Sequence, residues 1–160
     1  MWTLTDSPVG QLRIVEQDGA ISAIEFEPFR ATGRPLGERR DDHPLLAGAV
    51  AQLAAYFARD LKEFDLPLAP RGSLFQKQVW DQLLLIGYGE TASYGEIARR
   101  LGRTNAASRA VGLANGQNPI PIVVPCHRVI GATGMLTGYA GGLERKRALL
   151  DLESWDQVLF

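Results

Sequence analysis

Leu66-Pro-Leu-Ala-Pro-Arg-Gly72 can continue neither a helix nor a central strand, because Pro67 and Pro70 remove two backbone donors and fix φ. The segment cuts the chain, and the patterns on its two sides differ. Upstream, residues 11–16 and 20–26 alternate about Asp18-Gly19, a pair suited to a two-residue hairpin turn. Residues 28–44 hold Pro, Gly and mixed charge without periodicity and read as a loop. Leu46, Val50, Leu53 and Phe57 recur at helical spacing, so a helix is expected over residues 44–59.

Downstream the chain reads as helices. Ser73-Leu-Phe-Gln76 is a capping-box pattern before Phe75, Val79, Leu83 and Ile86, and Gly87-Tyr-Gly89 ends that helix. Ser93-Tyr-Gly-Glu96 is a second such pattern, opening a short helix through Ile97 and Leu101 that Gly102 stops. Asn105 can cap a further helix over residues 106–114, rich in Ala and Gly and therefore nearly flat. Two short helices about a tight Gly turn form a helix-turn-helix, whose second member usually enters a DNA groove. Ordinary helical domains contain the same pattern, and a flat helix also suits close helix packing.

Charge adds to this without deciding it. Residues 1–70 carry seven Lys and Arg against eleven Asp and Glu, whereas residues 71–160 carry ten against seven. Arg99, Arg100, Arg103, Arg109 and Arg128 face Glu96 alone between Tyr94 and Arg128. That is the footprint of a nucleic-acid-binding face, and solvated helices produce it too. No apolar run approaches the roughly 20 residues of a membrane helix, and the opening residues lack a signal-peptide pattern. No membrane association is expected, and the single cysteine suits a reducing compartment, so the expected location is the cytoplasm.

That cysteine, Cys126, follows the apolar run Ile120-Pro-Ile-Val-Val124 within Pro125-Cys126-His127-Arg128-Val129. It can form no internal disulfide, and with His43 and His127 the only histidines no structural zinc site is expected. Cys126 is either a small core residue or a nucleophile. A nucleophile needs a base and an orienting group. His127 is adjacent but in a strand would point to the opposite face, so cooperation requires a turn there or a relaying water. Glu153 or Asp151 offers the orienting carboxylate.

The run Asn118-Pro-Ile-Pro-Ile-Val-Val-Pro-Cys-His-Arg-Val-Ile-Gly131 resembles the active-site signature of the O6-alkylguanine-DNA alkyltransferases. The likeness extends through residues 88–95, 107–115, 136–142 and 146–153, strong over 73–153 and loose over the N-terminal half. It implies an α+β protein: a small N-terminal α/β domain (antiparallel sheet plus helix) over residues 1–70, then a helical domain over 71–160. The second domain would carry a winged helix-turn-helix-like DNA-binding motif and the active site.

By the resemblance, Cys126 is the alkyl acceptor, His127 takes its proton through a water, and Glu153 holds His127. Asn118 braces the turn, Tyr94 donates a hydrogen bond to the guanine ring, and Lys146 supports that site. The main chain at Cys126 and Val129 accepts from the guanine amino group, and Tyr139 and Ala140 close over the base. Arg109 fills the space left by the rotated nucleotide, with Ser93, Ala107, Gly112 and Asn115 also facing DNA. No cofactor is implied. The partner is duplex DNA containing O6-alkylguanine, with O4-alkylthymine a second candidate, and the protein is expected to be a monomer, with cooperative binding left open.

Each residue has a plainer reading. Tyr94 could be half-buried packing, Lys146 and Arg145 a solvated face, Asn118 a turn starter, Glu153 a surface carboxylate and Arg109 a phosphate contact. Three other functions compete: a damage-binding protein without transfer, a cysteine hydrolase that turns over, and a sequence-specific regulator. Cys126 argues against the first, and independence from Cys126 would mark the last.

Overall fold

The computed structural model describes residues 1–31, 33–131, 139 and 141–158, with side chains of the last helix described through residue 154. The chain divides into two compact units, Met1–Arg71 and Gly72–Phe160.

In the first unit, β1 (Trp2–Thr5), β2 (Leu12–Gln17) and β3 (Ala20–Phe26) form an antiparallel sheet in that order. Asp18 and Gly19 take φ of 52° and 82° between β2 and β3, the doubly left-handed geometry that fits the twist of a hairpin. The 28–44 segment is more ordered than its composition suggests. Trp2 N–H donates to Glu38 O and Arg40 N–H to Trp2 O, so residues 38–40 cover the β1 edge. On the other edge, Ile21 N–H donates to Pro67 O and Ala69 N–H to Ile21 O. Both edges are thereby capped by irregular backbone, which removes exposed ladder groups.

Helix α1 (Pro44–Phe57) is capped by the His43 side chain and ends two residues before the expected limit. Its buried stripe is Leu46, Ala49, Leu53 and Tyr56. Val50 and Phe57 flank that stripe, because a spacing of three, four and three centres it better than the apolar count alone. Leu12, Ile14, Ile21 and Leu46 are fully buried and form the core of this unit.

The second unit begins with α2 (Leu74–Leu83), where the Ser73–Gln76 capping box is complete. Trp80 Nε1 donates to Ala114 O at 2.8 Å, fixing α2 on a later helix. Two residues, β4 (Ala92–Ser93), run straight into α3 (Tyr94–Arg100), whose N-cap Ser93 accepts from Glu96 N–H. Gly102 at φ 74° ends α3, with Gly102 N–H on Arg99 O and Arg103 N–H on Ala98 O. These two bonds satisfy carbonyls that the helix end leaves open.

Residues Asn105–Ala107 form a 3-10 turn before α4 (Ser108–Gly116), so Asn105 is not the expected cap. Its Oδ1 is taken by Arg99 Nη1 at 2.6 Å, which leaves that oxygen occupied away from the helix end. Helices α3 and α4 about this turn are the expected helix-turn-helix. The strand pair beside them joins Ala92 and Ser93 to Val129 and Ile130 in parallel, defining β5 (Val129–Ile130), and is not a hairpin. Helix α5 (Leu143–Val158) closes the unit and buries Lys146, Leu149 and Glu153 along one side. Among the described residues no helix is long and apolar enough to cross a membrane.

Candidate active site

The apolar run before Cys126 is a chain of turns, not a strand. Pro119, Pro121 and Pro125 cannot donate to a ladder. Val123 N–H instead donates to Pro121 O at 2.9 Å, closing a turn on Ile122, whose φ is 75°. A β-branched residue there is strained by about 1–3 kcal/mol, so its surroundings must hold it. Asn118 does so: Nδ2 donates to Val124 O at 2.8 Å and Oδ1 accepts Ile120 N–H at 3.0 Å. Cys126 N–H donates to Val124 O at 2.8 Å around Pro125, at φ −81° and ψ 64°, an inverse γ-turn. Cys126, His127 and Arg128 then form one 3-10 turn.

The turn means that Cys126 and His127 are not held on opposite faces as they would be in a strand. His127 is fully buried, and its Nε2 lies 2.6 Å from Glu153 Oε2. Arg128 grips the same carboxylate, Nε to Oε1 at 2.8 Å and Nη2 to Oε2 at 3.1 Å, while its Nη1 donates to Ile86 O at 2.7 Å. Burial alone would raise the Glu153 pKa, but the His127 and Arg128 contacts outweigh it and hold the carboxyl at about 2. Burial pushes the His127 imidazole below its usual value against the pull of Glu153. A neutral ring donating Nε2–H to Glu153 keeps a lone pair on Nδ1. That nitrogen is buried and has no hydrogen-bond partner among the described residues.

Burial likewise pushes the Cys126 thiol up, opposed by hydrogen bonds with Asn118 and Tyr139 and by the charge of Lys146. The resting group is therefore a thiol, with a base on the next residue. Lys146 is fully buried, its Nζ donating to Val129 O at 2.6 Å, and burial lowers its pKa despite the nearby sulfur. A buried thiol and an imidazole whose Nδ1 lone pair is free among the described residues thus lie on consecutive residues of one turn.

Residues 1–70 match the sequence profile described as "6-O-methylguanine DNA methyltransferase, ribonuclease-like domain", and residues 74–155 that of the same enzyme's "DNA binding domain". The chain belongs to the 6-O-methylguanine DNA methyltransferase family. It is 54% identical over 153 residues to the methylated-DNA–protein-cysteine methyltransferase of Mycobacterium tuberculosis, spanning 92% of this chain and 88% of that one. The protein of the same name from Methanosarcina acetivorans is 47% identical over 152 residues, spanning 95% and 97%. The crystal structure of Mycobacterium tuberculosis OGT in complex with DNA superposes with a TM-score of 0.87 at 49% identity, covering 96% of this chain and 92% of that one.

The methyltransferase fold places the remaining expected residues as follows. Tyr94 is half-buried at the start of α3, and a Cβ on Gly112 would sit 3.6 Å from its ring, so the tyrosine lies over α4. The β4–β5 pairing sets Ser93 beside Ile130 and so ties the start of α3 to the cysteine turn. Arg109 is exposed on α4, and Ala107 is half-buried in the turn before it. Tyr139 is half-buried, whereas Ala140 lies outside the described residues.

Two expectations need correcting. Asn115, expected to face DNA, is 2% exposed and donates Nδ2 to Cys126 O at 3.3 Å. Its position on the inward face of α4 turns it toward the cysteine. Arg128, counted with the basic face, is buried on Glu153, because it follows Cys126 within the same inward turn. The carbonyls of Cys126 and Val129, expected to accept from a guanine amino group, each accept one bond already, from Asn115 and Lys146, which leaves their second lone pairs for a ligand. Arg128 was legible only as part of the motif; its charge suggested a surface. Asp151 is exposed, which leaves Glu153 as the orienting carboxylate.

Proposed function

We propose that this chain repairs alkylated duplex DNA directly, moving the alkyl group of O6-alkylguanine onto Cys126 once per molecule. The observation that carries the reading is the buried network His127–Glu153–Arg128, set immediately after the lone thiol on a strained turn. The Cys126 proton passes through a water to His127 Nδ1, and Glu153 stabilises the imidazolium that forms. The thiolate attacks the alkyl carbon, the carbon–O6 bond breaks, and its electron pair leaves on the base. Tyr94 donates a hydrogen bond to the ring and offsets that charge, and the guanine takes up a proton.

The product is a thioether. Water does not cleave it readily, unlike the thioester of a cysteine hydrolase, so the protein is consumed. The alkyl carbon lies inside the duplex, and the nucleotide must be extruded at a cost of a few kcal/mol. Arg109, exposed on α4, fills the gap. Asn118 and Asn115 act as positioning residues for the cysteine turn, and Lys146 for Val129. Tyr139 and Ala140 cover the base, and Ser93, Ala107 and Gly112 let α4 approach the duplex closely. The protein acts as a monomer in the cytoplasm, where a lone thiol stays reduced.

Incubation with duplex containing O6-methylguanine, followed by mass spectrometry of intact protein and peptides, tests this. One methyl per molecule on the Cys126 peptide is expected. The Cys126→Ala variant should stay unmodified yet retain the duplex. An unmodified wild-type protein would overturn the reading.

A further inference from the structure

Leu113 occupies the centre of the exposed face of α4 and is 65% exposed. At about 100° per residue, Arg109, Leu113 and Gln117 fall within roughly 80° of one another, with Ala110 beside them. The opposite side carries Val111, Ala114 and Asn115, all buried. Gln117 is engaged by Gln76 Nε2 at 2.6 Å. Arg109 and Leu113 are therefore the long side chains projecting from a face otherwise built of small residues. Arg100 and Arg103 are exposed on the preceding helix and turn, so the surroundings are electropositive.

A single exposed leucine on a surface is ordinary. One at the middle of a cationic, flat helix face has a narrower use. Phosphates are met by the arginines, while an apolar side chain gains nothing from phosphate oxygen and fits the carbons of deoxyribose rings. We propose that Leu113 is a duplex-binding residue: it packs on deoxyribose carbons beside the base step that Arg109 opens and excludes water there. The inference rests on the proposed docking of α4 onto duplex DNA.

The two side chains have different physical signatures. Contacts to phosphate release counterions, so their loss lowers the slope of log affinity against log salt, whereas an apolar contact leaves the slope alone. Leu113→Ala and Arg109→Ala should be compared with wild type for duplex affinity over a salt series. Repair of O6-methylguanine duplex and reaction with free O6-benzylguanine should be measured in parallel. The expectation for Leu113→Ala is a roughly tenfold loss of duplex affinity and repair, an unchanged salt slope and unchanged reaction with the free base. Arg109→Ala should reduce the slope, because a cation inserted into the duplex also displaces condensed counterions. Unaltered duplex affinity in Leu113→Ala, an altered slope, or an equal loss on the free base overturns the proposal. The affinity series needs no alkyl transfer. If wild type binds duplex but acquires no methyl, the transfer reading fails, and Leu113 is still tested.

Discussion

The imidazole of His127 and the carboxylate of Glu153 meet at 2.6 Å with both side chains sealed from solvent, 26 residues apart in the chain. The same carboxylate also carries the Arg128 guanidinium. Glu153 therefore does more than aim a ring. It neutralises a buried cation and sets the tautomer that leaves Nδ1 of His127 as the acceptor.

Removing the carboxylate should be costly for this reason. Glu153→Ala leaves the Arg128 charge buried and unpaired, and a broken buried pair of this kind costs about 3–5 kcal/mol. Urea unfolding of the variant against wild type measures it. A midpoint within error of wild type would mean that Arg128 finds solvent easily, contrary to its burial.

Acid should act through the same pair. The Glu153 pKa is lowered from the ordinary 4.5 to about 2, so the unfolded chain binds the proton first. Its stabilisation is complete above about pH 4.5 and disappears as pH falls toward about 2, a loss of roughly 3 kcal/mol. His127, lowered from 6.5 by burial, adds a loss of the same sign that begins below pH 6.5. Unfolding midpoints at a series of pH values will report both. If Glu153→Gln kept the wild-type dependence below pH 4.5, the assignment to this carboxyl would be wrong.

Asn118→Ala strips the clamp from the Ile122 turn. It leaves the Ile120 amide buried without its partner, at a cost of about 1–3 kcal/mol, and takes one of two donors from the Val124 carbonyl, which keeps Cys126 N–H. Reaction of the variant with free O6-benzylguanine should slow as the cysteine loses its fixed position, while the salt slope of duplex binding stays as in wild type. A wild-type rate with the free base would show that the turn holds itself.

Two glycines offer a contrast in sign. A Cβ at Gly48 in α1 or at Gly102 after α3 would meet nothing within 4 Å, so only the backbone decides. Gly48→Ala should stabilise the first unit by about 0.5–1 kcal/mol, because alanine is the better helix former. Gly102→Ala should destabilise the second by about 1 kcal/mol, because φ there is 74°. Thermal melts of both variants check the pair, and shifts of the same sign would refute the argument.

Much of the local structure was legible in the residues. Asp18-Gly19, the Ser73–Gln76 box, Ser93 and Gly102 all act as their chemistry suggests, because turns and caps depend on neighbours a few positions away. Where local reading went astray, a distant partner had intervened. Asn105 was drawn off its helix by Arg99, Asn115 turned inward to Cys126, and residues 38–40 gained order from the β1 edge.

The amino-acid sequence alone marks a break near residues 66–72 and offers a single thiol as the candidate acceptor. Two prolines interrupt the middle, and only one thiol exists. The protonation of that thiol and of the neighbouring imidazole was decided by packing. Lys146 reaches Val129 from 17 residues away, and Glu153 reaches Arg128 from 25. Protonation depends on how far water is excluded and on which charges replace it, and both are set by contacts between segments that no local pattern contains.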